Sequence, residues 1–76
     1  MSLTGAYRGG YGGIAGWWIS TGYVREEVEA LKQSVPHMAR SWDPEAKRWW
    51  VSSNYEGEIL HLWPAFQVYL DQAVLF

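Results

Sequence analysis

The feature that most constrains the fold is the stretch of residues 41–52, which reads SWDPEAKRWWVS. Asp followed by Pro favours a turn, because Pro presets φ for position i+1 of a type I turn and Asp accepts hydrogen bonds from nearby backbone N–H groups. Pro cannot donate to a β-ladder, so it belongs at the tip and not in an arm. The stretch therefore predicts a β-hairpin with Trp42 on its first arm and Trp49 and Trp50 on its second.

The chain is short, and its 76 residues suffice for one domain. It contains no cysteine, so neither a disulfide nor a Cys-based zinc site can stabilise the core. Six tryptophans, five tyrosines and two phenylalanines supply apolar bulk instead. The formal net charge of −2 argues against strong non-specific binding to duplex DNA, which depends on neutralising phosphates, but it permits a local basic patch.

Two stretches before the hairpin have a clear periodicity. Gly16–Thr21 is rich in β-forming residues and predicts a strand in which Trp17 and Trp18 point to opposite faces. Residues 24–35 place apolar side chains on one helical stripe and acidic side chains near the N-terminal end, where the helix dipole favours negative charge. Pro36 should end this helix, because the residue before a proline is disfavoured in the α region.

The hairpin arms are predicted as strands over residues 38–43 and Arg48–Ser52. Ser53 and Glu56 then form the S-x-x-E pattern of a capping box, so a helix should start near residue 54 or 55. Its apolar stripe continues to residue 73, but Pro64 interrupts it, and we expect a break or sharp kink there. Residues 73–76 are all apolar and should pack against another surface.

These elements predict an α+β fold in the order β-α-β-β-α(α), with one small three-stranded sheet and helices on one face. The single α+β domain would cover residues 14–76. Residues 1–13 are interpreted as a flexible Gly-rich arm, because five glycines between positions 4 and 13 lose much conformational entropy on ordering. Alternatively, Arg8 and the tyrosines beside it could contact single-stranded nucleic acid through cation–π contacts and stacking.

The two faces of the predicted sheet differ in what can cover them. If Trp17 and Trp49 face the helices, then Trp18, Trp50 and Arg48 lie on the opposite face, since side chains alternate along a strand. Such an aromatic and cationic surface can stack unpaired bases. Alternatively, a second copy of the chain or the terminal segments, including the Gly-rich arm, could bury it.

Three basic residues, Arg40, Lys47 and Arg48, cluster at the hairpin. They are interpreted either as a solvated turn, with weak pairing to Asp43 or Glu45, or as a small patch that contacts phosphates.

Several short motifs fall in a fixed order along the chain: Gly22-Tyr23, Glu26-Glu27-Val28, Leu31-Lys32, Arg40, Trp42-Asp43 and Lys47-Arg48-Trp49. Together with the helix that follows, they resemble the HARP domain, the module that precedes the motor of annealing helicases of the Swi/Snf type. The resemblance covers about residues 17–62. The W-D-P-x-x-K-x-W pattern also looks similar to hairpins of small uncharacterised phage proteins.

The resemblance implies recognition of DNA with single-stranded or forked character. The positions that match the family pattern are Tyr23, Arg40, Trp42, Asp43, Lys47, Arg48 and Trp49. Trp50 departs from that pattern, since the family tolerates a small polar residue there. These 76 residues contain no motor domain, so helicase activity is not expected.

Other chemistries have little support in the sequence. Glu58 and His61 have the i, i+3 spacing of carboxylate-bridged metal sites, but a single copy favours a structural or solvated interpretation. No P-loop, nucleophile elbow or dinucleotide fingerprint is present. We therefore expect no enzyme activity, no cofactor, no metal and no small-molecule substrate. The absence of an apolar run of transmembrane length and of a signal-peptide pattern predicts a cytoplasmic protein without a membrane partner.

The first functional hypothesis is a non-enzymatic module that binds nucleic acid, most plausibly single-stranded or junction DNA. It would use an aromatic and basic face of the sheet, and the residues predicted to carry it are Trp18, Arg40, Lys47, Arg48 and Trp50. The alternative is a homo-oligomeric or partner-binding protein that uses the same sheet face and the apolar C-terminal segment. The predicted interface residues of that segment are Trp63, Phe66, Leu70, Val74 and Phe76.

Overall fold

A four-stranded antiparallel sheet forms the centre of the structure, a computed structural model that describes residues 3–21 and 24–73. The strands are β1 (Leu3–Arg8), β2 (Gly16–Thr21), β3 (Arg40–Asp43) and β4 (Arg48–Ser52). Their spatial order is β1-β2-β4-β3, and each neighbouring pair is antiparallel. The second arm of the hairpin, β4, is therefore an inner strand, while β3 lies at the edge of the sheet.

Three α-helices complete the fold: α1 (Arg25–Ser34), α2 (Glu56–Leu62) and α3 (Phe66–Ala73). Short 3₁₀ turns cover His37–Ala39 and Ser53–Tyr55. The first turn therefore shortens the predicted second strand, and the second delays the start of α2 to Glu56. The break at Pro64 is confirmed, because α2 ends at Leu62 and α3 begins at Phe66.

The hydrophobic core lies between one face of the sheet and the helices, as the alternation predicts. Its members come from both inner strands and from the helices and their ends: Trp17, Ile19, Leu31, Val35, Trp49, Val51, Ile59, Trp63 and Phe66. The rings of Trp17 and Phe66 meet edge to face, with centroids 4.8 Å apart. The α+β class is thereby confirmed.

The prediction of three strands is wrong, and so is the order that begins with one strand before α1. Leu3–Arg8, which falls within the stretch interpreted as a flexible arm, pairs with β2 as an additional edge strand. The two glycines at positions 12 and 13 explain this hairpin, because both have positive φ, 60° and 82°. Tyr11 and Ile14 on either side exchange backbone hydrogen bonds of 2.9 and 3.1 Å. Such a Gly-Gly turn is a recognised hairpin signal, which the high glycine content obscured.

The predicted hairpin of residues 41–52 is confirmed in detail. Asp43 pairs with Arg48, and the Oδ1 atom of Asp43 accepts hydrogen bonds from the backbone N–H groups of Glu45 and Ala46, at 3.1 and 3.3 Å. None of the helices in the described ranges combines the length and apolar character that crossing a membrane requires.

Gly16 lies closely against Trp50 and Val51 of the neighbouring strand, and this contact gives a test of the fold. A Cβ at Gly16 would lie 2.5 Å from ring atoms of Trp50 and 2.5 Å from the carbonyl oxygen of Val51. Gly16→Ala should therefore lower the free energy of unfolding by about 1–3 kcal/mol in urea denaturation. Gly5→Ala is the matched control, since nothing lies within 4 Å of its Cβ position, and it should be neutral or slightly stabilising. Equal effects of the two substitutions would contradict the packing described.

Candidate functional site

The five residues predicted to bind nucleic acid lie on two different faces of the sheet. Trp18 and Trp50 are paired neighbours on β2 and β4 and share the face opposite the helices. Arg40 pairs with Val51, a member of the core, and therefore lies on the helix side. The structure thus separates the predicted residues into an outer group and an inner group.

Trp50 is buried, with only 2% of its surface exposed, and the segment after β1 covers it. Its indole Nε1–H donates to the carbonyl oxygen of Gly9 at 3.0 Å, and the ring centroid of Tyr11 lies 5.4 Å from its own. The interpretation that a terminal segment buries this face is therefore confirmed for Trp50. An incoming base could stack on Trp50 only after displacing this segment.

Arg48 on the outer face is already engaged by neighbouring side chains. Its guanidinium carbon lies 4.4 Å from the ring centroid of Trp18 and 5.3 Å from that of Tyr7, within cation–π range of both. Arg48 also donates a hydrogen bond to the Tyr7 hydroxyl, and its Nε lies 3.7 Å from Oδ2 of Asp43. These contacts fasten β1 to the sheet and occupy the groups that the hypothesis assigned to a nucleic acid.

The predicted C-terminal interface is corrected in part. Trp63 and Phe66 belong to the core, with 2% and 0% of their surfaces exposed, and so offer almost no surface to a partner. Leu70 is half-buried and packs against the same core. Val74 and Phe76 lie outside the described residues.

A groove on the helix side brings together the remaining predicted residues and several others. It has a volume of about 680 Å³ and lies between α1, the edge strand β3 and the start of β4. Its lining residues are Thr21, Val28, Lys32, Arg40, Ser41, Trp42, Lys47 and Trp49. We refer to this feature as the Trp42 groove.

The floor of the Trp42 groove is an aromatic pair flanked by cations. Trp42 pairs with Trp49 across the strands, and Arg40 lies two residues before Trp42 on the same face, about 7 Å along the strand. Lys47 immediately precedes β4 at the opposite end of the floor. Along the floor of the groove, the order is therefore a cation, the two tryptophans and a second cation.

Trp42 is the one exposed tryptophan among the six, all of which are described, and 45% of its surface is accessible. Its ring centroid lies 5.2 Å from that of Trp49, and the ring planes are inclined at 51°. Trp49 itself is 8% exposed. Trp49 thus supports Trp42 from the core, and Trp42 presents an accessible aromatic surface to the groove.

Arg40 is held in place by two contacts. Its Nε donates to the carbonyl oxygen of Val35 at 3.0 Å. Val35 is the C-cap residue of α1, so this bond ties Arg40 to the end of that helix. The guanidinium carbon of Arg40 lies 5.8 Å from the ring centroid of Trp49. Because a guanidinium carries five N–H donors, this arrangement orients Arg40 while using only one of them in that hydrogen bond.

Lys47 has an unusual backbone conformation for its residue type. Its φ of 54° is the one positive φ among the described residues other than glycine. The left-handed region closes the hairpin loop here, and it costs a side-chain-bearing residue roughly 1–2 kcal/mol, which glycine would avoid. A lysine at this position thus keeps a cation at the groove at the expense of local stability.

Charge is distributed unevenly between the groove and the rest of the described chain. Three of the six Lys and Arg residues line the groove, whereas none of the eight acidic residues does. The groove is therefore a cationic site on a protein whose formal net charge is −2. This local concentration of positive charge favours binding of an anionic ligand in the groove, whereas the rest of the surface does not attract anions.

Sequence reasoning missed two features of the groove. Lys32 was not assigned a site role, although it follows Val28 by four residues and therefore shares a helix face with it. The exposure of Trp42 is the second, since the pattern alone does not show that β3 is a short edge strand. Tyr23, which the HARP resemblance also indicated, lies outside the described residues.

Comparisons with protein-family models, with curated proteins and with solved structures found no match to this chain. Within the described residues, no three His, Asp or Glu side chains come together in a way that could hold a metal ion.

The contrast between Trp42 and Trp49 gives a test of the groove's construction. Trp49→Ala should lower the free energy of unfolding by about 3–5 kcal/mol, because it removes a buried core aromatic. Trp42→Ala should cost only about 1 kcal/mol, the value of an aromatic pair on a half-exposed surface. Urea denaturation followed by circular dichroism measures both. A loss for Trp42→Ala as large as that for Trp49→Ala would show that Trp42 is a core residue.

Proposed function

We propose that this protein binds single-stranded nucleic acid in the Trp42 groove. The observation that carries the proposal is an exposed tryptophan seated between cationic side chains in a groove without acidic lining. The proposal keeps the function inferred from the sequence but places it on the helix side of the sheet. Of the residues first assigned, Arg40 and Lys47 are retained, and Trp42, Trp49 and Lys32 are added.

The groove offers both kinds of contact that single-strand binding uses. Stacking of a base on an aromatic side chain contributes roughly 1–3 kcal/mol and tolerates any base, since every base has a π-face. Trp42 supplies this face. Lys32, Arg40 and Lys47 supply charge for the phosphates on either side.

An unpaired strand fits these contacts better than a duplex. The faces of bases inside a duplex are stacked on one another and cannot reach Trp42. Non-specific duplex binding relies on many phosphate contacts, whereas this chain has three cations in the groove and a net charge of −2. Of the seven positions that match the HARP pattern, four line the groove, namely Arg40, Trp42, Lys47 and Trp49.

A second candidate is an acidic peptide in extended conformation. The groove runs beside β3, the last strand of the sheet, and a peptide could add to this edge through its backbone. The cations of the groove would then pair with acidic side chains of the peptide. Trp42 separates the two candidates, because base stacking requires its ring, whereas pairing with the strand edge does not.

The test is a titration of a labelled oligothymidylate, long enough to overhang the groove at both ends, followed by fluorescence anisotropy at low salt. Trp42→Ala should weaken binding roughly 5- to 150-fold, the equivalent of losing one stacked base. Lys47→Asn should weaken binding and reduce the slope of log affinity against log salt by about 0.7, the value of one phosphate contact on a single strand. Asparagine is chosen because it tolerates the left-handed backbone at this position.

The matched control is Arg25→Gln, which changes the net charge by the same amount as Lys47→Asn but lies outside the groove, at the start of α1. It should leave affinity nearly unchanged. Equal losses for Arg25→Gln and Lys47→Asn would indicate attraction by overall charge. An affinity unaffected by Trp42→Ala, or binding of a polyglutamate peptide in preference to the oligonucleotide, would contradict the proposal.

A further inference from the structure

The charges outside the Trp42 groove limit how much of a strand the protein can hold. All eight acidic residues lie outside the lining of the groove, whereas only three basic residues do, namely Arg8, Arg25 and Arg48. Arg48 is enclosed by Tyr7 and Trp18, and the guanidinium of Arg8 lies 5.5 Å from the ring centroid of Trp17. A strand that continued beyond the groove would therefore meet a surface that repels its phosphates.

The hairpin end of the groove shows this limit most clearly. Next to Lys47 in the turn lies Glu45, which is exposed. The carboxylate of Asp43 is on the other face of the sheet, where it pairs with Arg48, so the turn supplies no cation beyond Lys47. A phosphate contacted by Lys47 is the last one that this end of the groove favours.

The floor has room for one stacked base between two phosphate contacts. Arg40 lies about 7 Å along the strand from the tryptophan pair, and Lys47 precedes β4 on the other side. The volume of about 680 Å³ lies within the range of roughly 300–1,000 Å³ in which proteins hold small ligands. A groove of this size and charge layout suits a single nucleotide unit, not an extended track.

We infer that the unit recognised by the Trp42 groove is one nucleoside with a phosphate on each side, and that a free nucleoside 3′,5′-bisphosphate is sufficient to fill it. The base stacks on Trp42, one phosphate contacts Lys47, and the other contacts Arg40 and Lys32. This inference rests on the proposed function and adds the size of the ligand. Longer strands then gain affinity only through the larger number of equivalent units that they offer.

The experiment measures binding of thymidine 3′,5′-bisphosphate, thymidine 5′-monophosphate and thymidine 3′-monophosphate to the whole chain by isothermal titration calorimetry. The bisphosphate should bind more tightly than either monophosphate, by up to about fivefold for each exposed phosphate contact. It should also displace the labelled oligothymidylate, with an affinity close to that of the strand per nucleotide unit.

Lys47→Asn locates one of the two phosphates. It should lower the affinity for the bisphosphate to that of one monophosphate and leave that monophosphate's own affinity unchanged. The monophosphate whose affinity is unchanged carries the phosphate that does not contact Lys47. The other phosphate therefore faces Lys47, and this assignment gives the direction of the strand. Arg25→Gln should change none of the three affinities. Arg40 is not substituted, because it also supports the carbonyl oxygen of Val35.

The outcomes separate this inference from the function on which it rests. Binding of the oligothymidylate without binding of the bisphosphate would overturn the inference and leave the function in place. The same holds if affinity per unit rises steadily with strand length, or if Lys47→Asn weakens the bisphosphate and both monophosphates equally. Binding of neither the strand nor the bisphosphate would overturn both.

Discussion

The fold depends on hydrogen bonds that the indole N–H groups of its three most deeply buried tryptophans donate. Trp17 donates to Glu56 at 2.6 Å, Trp63 donates to Glu27 at 2.9 Å, and Trp50 donates to the carbonyl oxygen of Gly9 at 3.0 Å. A buried donor left unpaired would cost about 1–3 kcal/mol, a large fraction of the stability of a domain this small. These three bonds connect the sheet to α2, the end of α2 to α1, and β4 to the N-terminal hairpin. They do so in a chain that has no cysteine for a disulfide.

This requirement also decides which aromatic surface remains accessible. On the outer face, the N-terminal hairpin accepts the hydrogen bond of Trp50, and Arg48 lies against the ring of Trp18. On the helix side, the groove between α1 and β3 leaves Trp42 exposed beside Arg40 and Lys47. The left-handed backbone at Lys47 is the local cost of keeping a cation there. The aromatic and cationic groups that the proposed function needs therefore meet in the groove and not on the opposite face.

The inner strands, α1, the hairpin and the break at Pro64 follow from local patterns, since alternation, helical periodicity and turn residues determine them. The first strand was missed because five glycines resemble a linker, and its pairing depends on tertiary contacts with Trp18 and Trp50. Period-two alternation correctly separates Trp49 from Trp50, but it cannot tell which face other parts of the chain will cover. For the same reason alternation does not reveal that the N-terminal hairpin buries Trp50. Strand order, which places β3 at an edge, is a property of the whole chain and not of the hairpin.

The most direct test of the central claim is to follow the six indole N–H signals in a proton–nitrogen NMR spectrum while thymidine 3′,5′-bisphosphate is added. The signals can be assigned with single Trp→Phe variants. If the ligand occupies the groove, the signal of Trp42 should move most, that of Trp49 should follow, and that of Trp50, bonded to Gly9, should stay in place. Movement of the Trp18 and Trp50 signals with Trp42 unchanged would contradict the account and return the site to the outer face of the sheet.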